Sequence, residues 1–241
     1  MRESEKEILD RLLVKLSEKD GYCKNDEMTA FLALEGEKYT GELMIIGRSV
    51  NGWEDKFTPH DLLNSNTRKS IIENLTKISL SWVANSWQNN SKDSYNTKRS
   101  AFWRVIKQII CELDIVNTEN TDWPSYLTWS NLYKVAPAVG GNPHSKLEDI
   151  QKEYCFQLLK EELKQFRPKR VLFLTGYDWA NQFIQNIGEV KSSKRFDRMV
   201  DFKCNLVIPD IIDDIKVVVA KHPQGKKENN LVQEVVSTFN N

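Results

Sequence analysis

The chain has 241 residues, 40% hydrophobic and 28% charged, which suits one sizeable core and excludes a disordered chain. Its 34 basic residues balance 34 acidic ones, so a formal net charge of +0 excludes a globally basic nucleic-acid binder. Any DNA contact must then be a local basic patch. The opening MRESEKEILDRLL is charged, and no apolar run approaches membrane-spanning length, so a cytoplasmic protein without a membrane partner is expected.

In chain order, residues 4–18 read as an amphipathic helix, with Ile8, Leu12, Leu13 and Leu16 at helical spacing. Residues 41–47 (GELMIIG) form a short apolar run ended by glycine, the pattern of a buried parallel strand. A polar, helix-prone stretch follows over roughly 62–115. It carries one periodic set at Ile71, Ile72, Leu75, Ile78 and Leu80, and another at Phe102, Trp103, Val105, Ile106, Ile109 and Ile110. The Ser/Asn/Lys-rich segment 89–96 between them reads as a loop.

Three further strands are expected at 127–134 (LTWSNLYK), 170–176 (RVLFLTG) and 215–221 (IKVVVAK). A long helix over about 146–166 separates the first two, and Pro168 stops it. Shorter helices are expected at about 178–187 and 228–239. Strands alternating with helices imply parallel pairing through right-handed crossovers. The fold class expected is therefore α/β, a single domain over 1–241 on a short four-stranded parallel sheet flanked by helices, with a helical insert at about 54–125.

The four cysteines, Cys23, Cys111, Cys155 and Cys204, lie far apart and form no CxxC pair. That spacing gives neither a local zinc knuckle nor a disulfide framework, so free core thiols are expected.

Ligands of an open parallel sheet bind beyond the carboxyl ends of its strands, so a functional site is expected at the strand exits. The first exit is Gly47-Arg48-Ser49-Val50-Asn51-Gly52-Trp53. Its glycines let backbone approach a ligand, but it matches neither GxGxxG nor a P-loop, and a tight turn over a buried tryptophan is the plainer alternative. The second exit carries Asn131 inside an apolar stretch, followed by Pro137 and the loop Gly140-Gly141-Asn142-Pro143. An asparagine offers both donors and an acceptor and can read a base edge, or it can tie down a loop. The last exit is Lys221-His222-Pro223-Gln224-Gly225-Lys226-Lys227, with no acid between Lys216 and Glu228. His222 there can donate to an oxyanion, and the lysines can hold phosphate; a solvated basic loop is the alternative.

Taken together, MIIGRSVNGW (44–53), WSNLYKVAP (129–137) and AKHPQGKK (220–227) resemble the uracil-DNA glycosylase superfamily in order and placement. The resemblance covers roughly 43–227, with 54–125 poorly matched. It implies that fold and excision of a flipped base from DNA by hydrolysis of the N-glycosidic bond. Asn131 would read the base, His222 would stabilise the leaving base and Asn51 would position water. Trp53 and Phe57, just after the first loop, would stack on the base; Gly47, Arg48 and Ser49 of that loop would bind the substrate, Arg48 through a phosphate or a substituent on the base. Lys221, Gln224, Lys226 and Lys227 would meet the DNA backbone. The resemblance implies no metal or other cofactor, and a monomer. Two departures stand out. Arg48 and Ser49 occupy the places where most members carry the catalytic Asp, Asn or Glu, and no proline follows; Gln224 replaces the serine usual after His-Pro. The unusual first loop points towards a modified base, such as one of phage DNA excised in defence. A non-catalytic DNA or nucleobase-binding module is the alternative, and a nucleoside-processing enzyme is a third reading.

Other residues are set aside. His60 and Asp61 read as the N-terminal turn of a helix, and His144 lies in a Gly/Pro loop. Trp82, Trp87 and Trp103 fall in helical stretches and read as core. The run 191–198 (KSSKRFDR) sets Lys191, Lys194, Arg195 and Arg198 against Asp197; it reads as a solvated loop, with a second DNA contact as the alternative.

Overall fold

The structure, a computed structural model, describes residues 3–18, 26–52, 55–89 and 95–241. Cys23, Trp53 and most of the expected 89–96 loop lie outside the described residues. In chain order the elements are α1 (Glu3–Glu18), β1 (Met28–Ala30), β2 (Leu34–Glu35), β3 (Met44–Gly47), α2 (Ser65–Lys77), α3 (Ser81–Gln88) and α4 (Ala101–Glu112). Then come β4 (Thr128–Asn131), β5 (Val135–Pro137), α5 (Ser145–Phe166), β6 (Arg170–Leu174) and α6 (Tyr177–Ile187). The chain closes with β7 (Glu189–Arg195), β8 (Val200–Val207), β9 (Ile215–Ala220) and α7 (Glu228–Asn240).

Contacts group these into two compact units, one of Met1–Ala33, Gly47–Ile78 and Asn131–Gln165, the other of Leu34–Ile46, Ser79–Ser130 and Phe166–Asn241. The stretch expected as one insert is thus shared, passing from the first unit to the second after Ile78.

The first unit is mainly helical. The stripe Ile8, Leu9, Leu12, Leu13 and Leu16 of α1 is buried with Leu62, Leu75, Leu147 and Leu158 in one cluster. Asn64 caps α2 by accepting from the Asn66 N–H at 2.9 Å. The Asp61 carboxylate closes the preceding turn, accepting from the N–H and hydroxyl of Thr58 at 2.7 Å each, and those bonds hold its pKa below the usual carboxylate value. Strands β1 and β5 pair antiparallel, with Thr29 opposite Ala136. The run expected as one strand over 127–134 therefore ends at Asn131, and the residues after Lys134 pair elsewhere.

The reason lies in Lys134. Its ammonium and the Glu162 carboxylate are both fully buried, 2.6 Å apart. Gln151 fixes the backbone beside it, accepting from the N–H groups of Lys134 and Val135 and donating to the Val135 carbonyl at 2.8 Å. Ion pairing and hydrogen bonds here outweigh continuation of the strand, because a buried charge needs all of its partners. Cys155 touches the same network, and burial pushes its thiol up to about 12.

The second unit holds a seven-stranded sheet of order β2-β4-β3-β6-β9-β8-β7. This corrects the expected four-stranded parallel sheet: the sheet is mixed. β6 pairs parallel with β3 and with β9, while β2 joins β4 antiparallel at one edge. At the other edge β8 and β7 add an antiparallel hairpin. The basic run read as a solvated loop is largely strand β7 and the turn after it. Its partner β8 alternates buried and half-buried residues along VDFKCNLV, the signature of a strand covered on one face. A search for continuous apolar runs passes over such a strand.

The periodic stretch expected through Leu80 is divided, with α2 ending at Lys77 and α3 beginning at Ser81, while the stretch from Phe102 to Ile110 lies in α4 as expected. Arg104 of α4 holds Glu228 of α7 through two bonds, at 3.0 and 2.5 Å. Trp103 and Trp123 are buried, and Trp103 meets Trp82 and Trp129 edge-on with ring centroids 5.6 and 5.1 Å apart. Trp82 and Trp87, expected in the core, are only half-buried. Among the described residues no helix is long and apolar enough to cross a membrane.

Candidate functional site

In the first unit, Asn131 is the last residue of β4 and is 1% exposed. The two residues after it donate backbone hydrogen bonds to the first exit, Leu132 N–H to the Gly47 carbonyl and Tyr133 N–H to the Arg48 carbonyl, both at 2.9 Å. Gly47, buried, ends β3, so these bonds extend a strand-like ladder into the glycine-led loop. The loop is anchored from within by Val50, which is 1% exposed.

Its tip is tied to the Gly-Gly-Asn loop. Asn51 Oδ1 accepts from the Gly141 N–H at 2.9 Å, and Ser49 Oγ donates to Asn142 Oδ1 at 3.3 Å. Gly140 is required there: its φ is +94°, and a Cβ would lie 2.7 Å from Asn51 Oδ1. The oxygen expected to position water therefore already serves as a loop tie. Arg48 is half-buried, and burial lowers its pKa from the usual guanidinium value. A charge held partly out of water interacts more strongly with an anion than one in bulk solvent.

Phe57 is placed elsewhere. It exchanges backbone hydrogen bonds with Met28 at 2.8 and 3.0 Å and is 3% exposed, inside the core cluster around α1. This corrects its expected role, since a ring sealed in the core offers no face to a base. Its apolar chemistry served packing instead. Trp53, the other stacking candidate, lies outside the described residues.

In the second unit, Lys221 and His222 follow β9 and are half-buried, while Gln224, Lys226 and Lys227 are exposed. The Gln224 N–H donates to His222 Nδ1 at 3.3 Å, a bond that favours the neutral ring with its proton on Nε2. The ring lies nearly parallel to Phe102 of α4, with 6.2 Å between centroids and 21° between planes. Phe102 in turn meets Trp103 edge-on at 5.2 Å, so an aromatic cluster backs the histidine. Lys221 Nζ stands 4.0 Å from Asp201, whose pKa burial raises. Lys226 and Lys227 precede the first turn of α7, whose one acid, Glu228, is held by Arg104. Cation and helix end thus add in the same sense for an anion.

Three features of the site escaped the sequence reading: the Gly141 and Asn142 ties, Phe102 under His222, and Asp201 beside Lys221. Only the first had a local signal, in GGNP; the others join residues far apart in the chain. Among the described residues no group of His, Cys, Asp and Glu could hold a metal ion. No protein-family model matches the chain, and no curated protein matches it.

Proposed function

We propose that this protein is a DNA glycosylase, which flips a base out of DNA and hydrolyses its N-glycosidic bond. The observation that carries the reading is the placement of Asn131, at the end of a strand whose next two residues are hydrogen-bonded to Gly47 and Arg48 of the first loop. An amide that meets a flipped base with both donors and an acceptor discriminates between base edges, because a mismatched partner leaves a polar group unsatisfied once water is excluded.

The chemistry assigns the remaining roles. Flipping costs roughly a few kcal/mol, which binding must offset. As the bond from C1′ to the base nitrogen breaks, positive charge grows on the sugar and negative charge on the base. His222, with its proton on Nε2, donates to the leaving base; the water oxygen bonds to C1′, and its proton ends on the base or in solvent. The loop 47–52 contains no carboxylate, so water is oriented by neutral groups, Asn51 and Ser49, and Arg48 takes an anionic group of the substrate. Lys221, Lys226 and Lys227 meet phosphates, with Gln224 beside them. The departure of the first loop from its usual residues favours a modified base, such as one of phage DNA, over plain uracil.

A non-catalytic reader of DNA or of a nucleobase is the second reading. The bond from Gly141 to Asn51 favours it, because that oxygen is already engaged.

The test is base release. Purified protein is incubated with uracil-containing, mismatched and modified phage DNA, and abasic sites are revealed by alkaline cleavage. The expected result is abasic sites on at least one substrate, falling about 10²- to 10³-fold in His222→Ala and clearly in Asn131→Ala. DNA binding without abasic sites on any substrate would establish the reader.

A further inference from the structure

We propose that the β7–β8 hairpin is a second nucleic-acid contact, a phosphate-binding track beside α7 that grips the phosphodiester backbone. It rests on the DNA reading only for the identity of the polyanion.

The argument begins with register. In a regular strand, residues three apart point to opposite faces, so Lys191 and Lys194 would diverge. Here Lys191 pairs with Asn205 and Lys194 with Lys203, so three steps along β7 match two along β8. That bulge turns Lys194 onto the same face as Lys191, and Lys203 joins them. Within it Ser192 holds φ +51°, a left-handed conformation unusual for a residue with a side chain. Arg195, opposite Phe202, faces the other way, with its guanidinium 3.5 Å from the Tyr177 ring centroid.

Lys194 and Lys203 converge with Arg198 on a cleft of about 270 Å³, lined also by Phe196, Ser237, Thr238 and Asn241. Phe196 supports two of them, with Lys194 Nζ 5.4 Å and the Arg198 guanidinium 4.4 Å from its ring centroid. Glu234 neutralises Arg198 at 3.6 Å. Among the described residues no carboxylate pairs with Lys191, Lys194 or Lys203. Lys194 and Lys203 are direct cross-strand partners, an arrangement that costs stability unless an anion lies between them.

Lysines on an edge strand also discourage pairing with another sheet. That accounts for Lys191 and Lys194 on β7. It does not account for Lys203 on the inner strand, nor for a strained bulge that aligns all three. Successive same-face positions stand about 7 Å apart, comparable to the spacing of neighbouring phosphates along an extended strand. The cleft then seats one phosphate and Lys191 meets the next.

The test measures DNA binding by fluorescence anisotropy across a salt series, on duplex and single-stranded oligonucleotides. The variants are the triple Lys191→Gln, Lys194→Gln, Lys203→Gln and a deletion of Ser193 that removes the bulge. Wild type is expected to bind with a steep salt dependence. In the triple variant the slope should fall by about 3 on duplex and by roughly 2 on single strands, with an affinity loss of about tenfold or more at low salt. The deletion should lower the slope by about 1. Circular dichroism checks that both variants fold. An unchanged slope in the folded triple variant overturns the proposal, as does a wild type that binds anionic lipid vesicles but not DNA. Asn131→Ala separates the two readings: it should abolish base release and leave the salt slope intact.

Discussion

Two of the segments proposed to act on DNA are held to different degrees. The loop after β3 and the chain around Asn131 are fixed by backbone hydrogen bonds, two loop ties and, three residues on, a fully buried ion pair. The segment after β9 is tied at its start, where the Lys221 N–H donates to the Met199 carbonyl at 2.9 Å, and beyond the stack of His222 on Phe102 it runs as a turn with Gln224, Lys226 and Lys227 exposed. The first arrangement suits a task that must discriminate, because a group locked before binding loses little entropy on meeting its partner. The second suits one that follows the substrate, since long cationic side chains adapt to a backbone that varies in position. On the proposed function, the chain would separate reading from gripping by how tightly each part is held.

The largest effect should come from breaking the tightest element of the first segment. Lys134→Met leaves Glu162 charged and buried, and stability should fall by about 3–5 kcal/mol. The double change with Glu162→Leu should recover most of that loss, because the stranded charge is what costs. Denaturant unfolding of the two variants reads both numbers. A loss in the single variant below about 1 kcal/mol would show that the buried pair does not hold this segment.

A smaller effect is expected at Gly140. An alanine there must adopt φ +94° and press a methyl against Asn51 Oδ1, costing about 1–3 kcal/mol. The methyl displaces Asn51 and opens the tie to Gly141, so base release should fall further than the stability loss alone explains. Base release retained in a folded Gly140→Ala protein would show that the tie does not set the loop for catalysis.

The sequence disclosed what is local. Apolar runs marked β3, β6 and β9, and helical periodicity marked α1, α4, α5 and α7 within a few residues of their observed ends. Strand β8 stayed hidden because its alternating Lys203 and Asn205 break the apolar pattern that marks a strand buried on both faces. The end of β4 at Asn131 was hidden for another reason. LTWSNLYK reads as one run, and its break is explained by Gln151 and Glu162, 17 and 28 residues from Lys134. Phe57 misled because an aromatic residue near a candidate loop suits either stacking or packing, and its neighbours in α1 are distant in sequence. Candidate site residues were thus legible where one loop held them, and not where a partner came from another element.

The smallest effect tests the looser segment. Phe102→Leu keeps apolar volume beneath His222 but removes the flat face against which the imidazole lies. A ring pair contributes about 0.5–1.5 kcal/mol, so global stability should change by no more than that. The bond from Gln224 to Nδ1 is 3.3 Å long and by itself constrains the ring weakly. Without the stack the imidazole gains rotational freedom and spends less time with Nε2–H aligned to the leaving base. Base release should fall by up to about tenfold, the equivalent of 1.4 kcal/mol in the barrier. DNA affinity should stay unchanged, since Lys226 and Lys227 do not depend on the ring. A tyrosine at position 102 retains the face and should retain activity. Equal base release in the leucine and tyrosine variants would mean that His222 needs no ring beneath it, and that the second segment owes its alignment to the substrate.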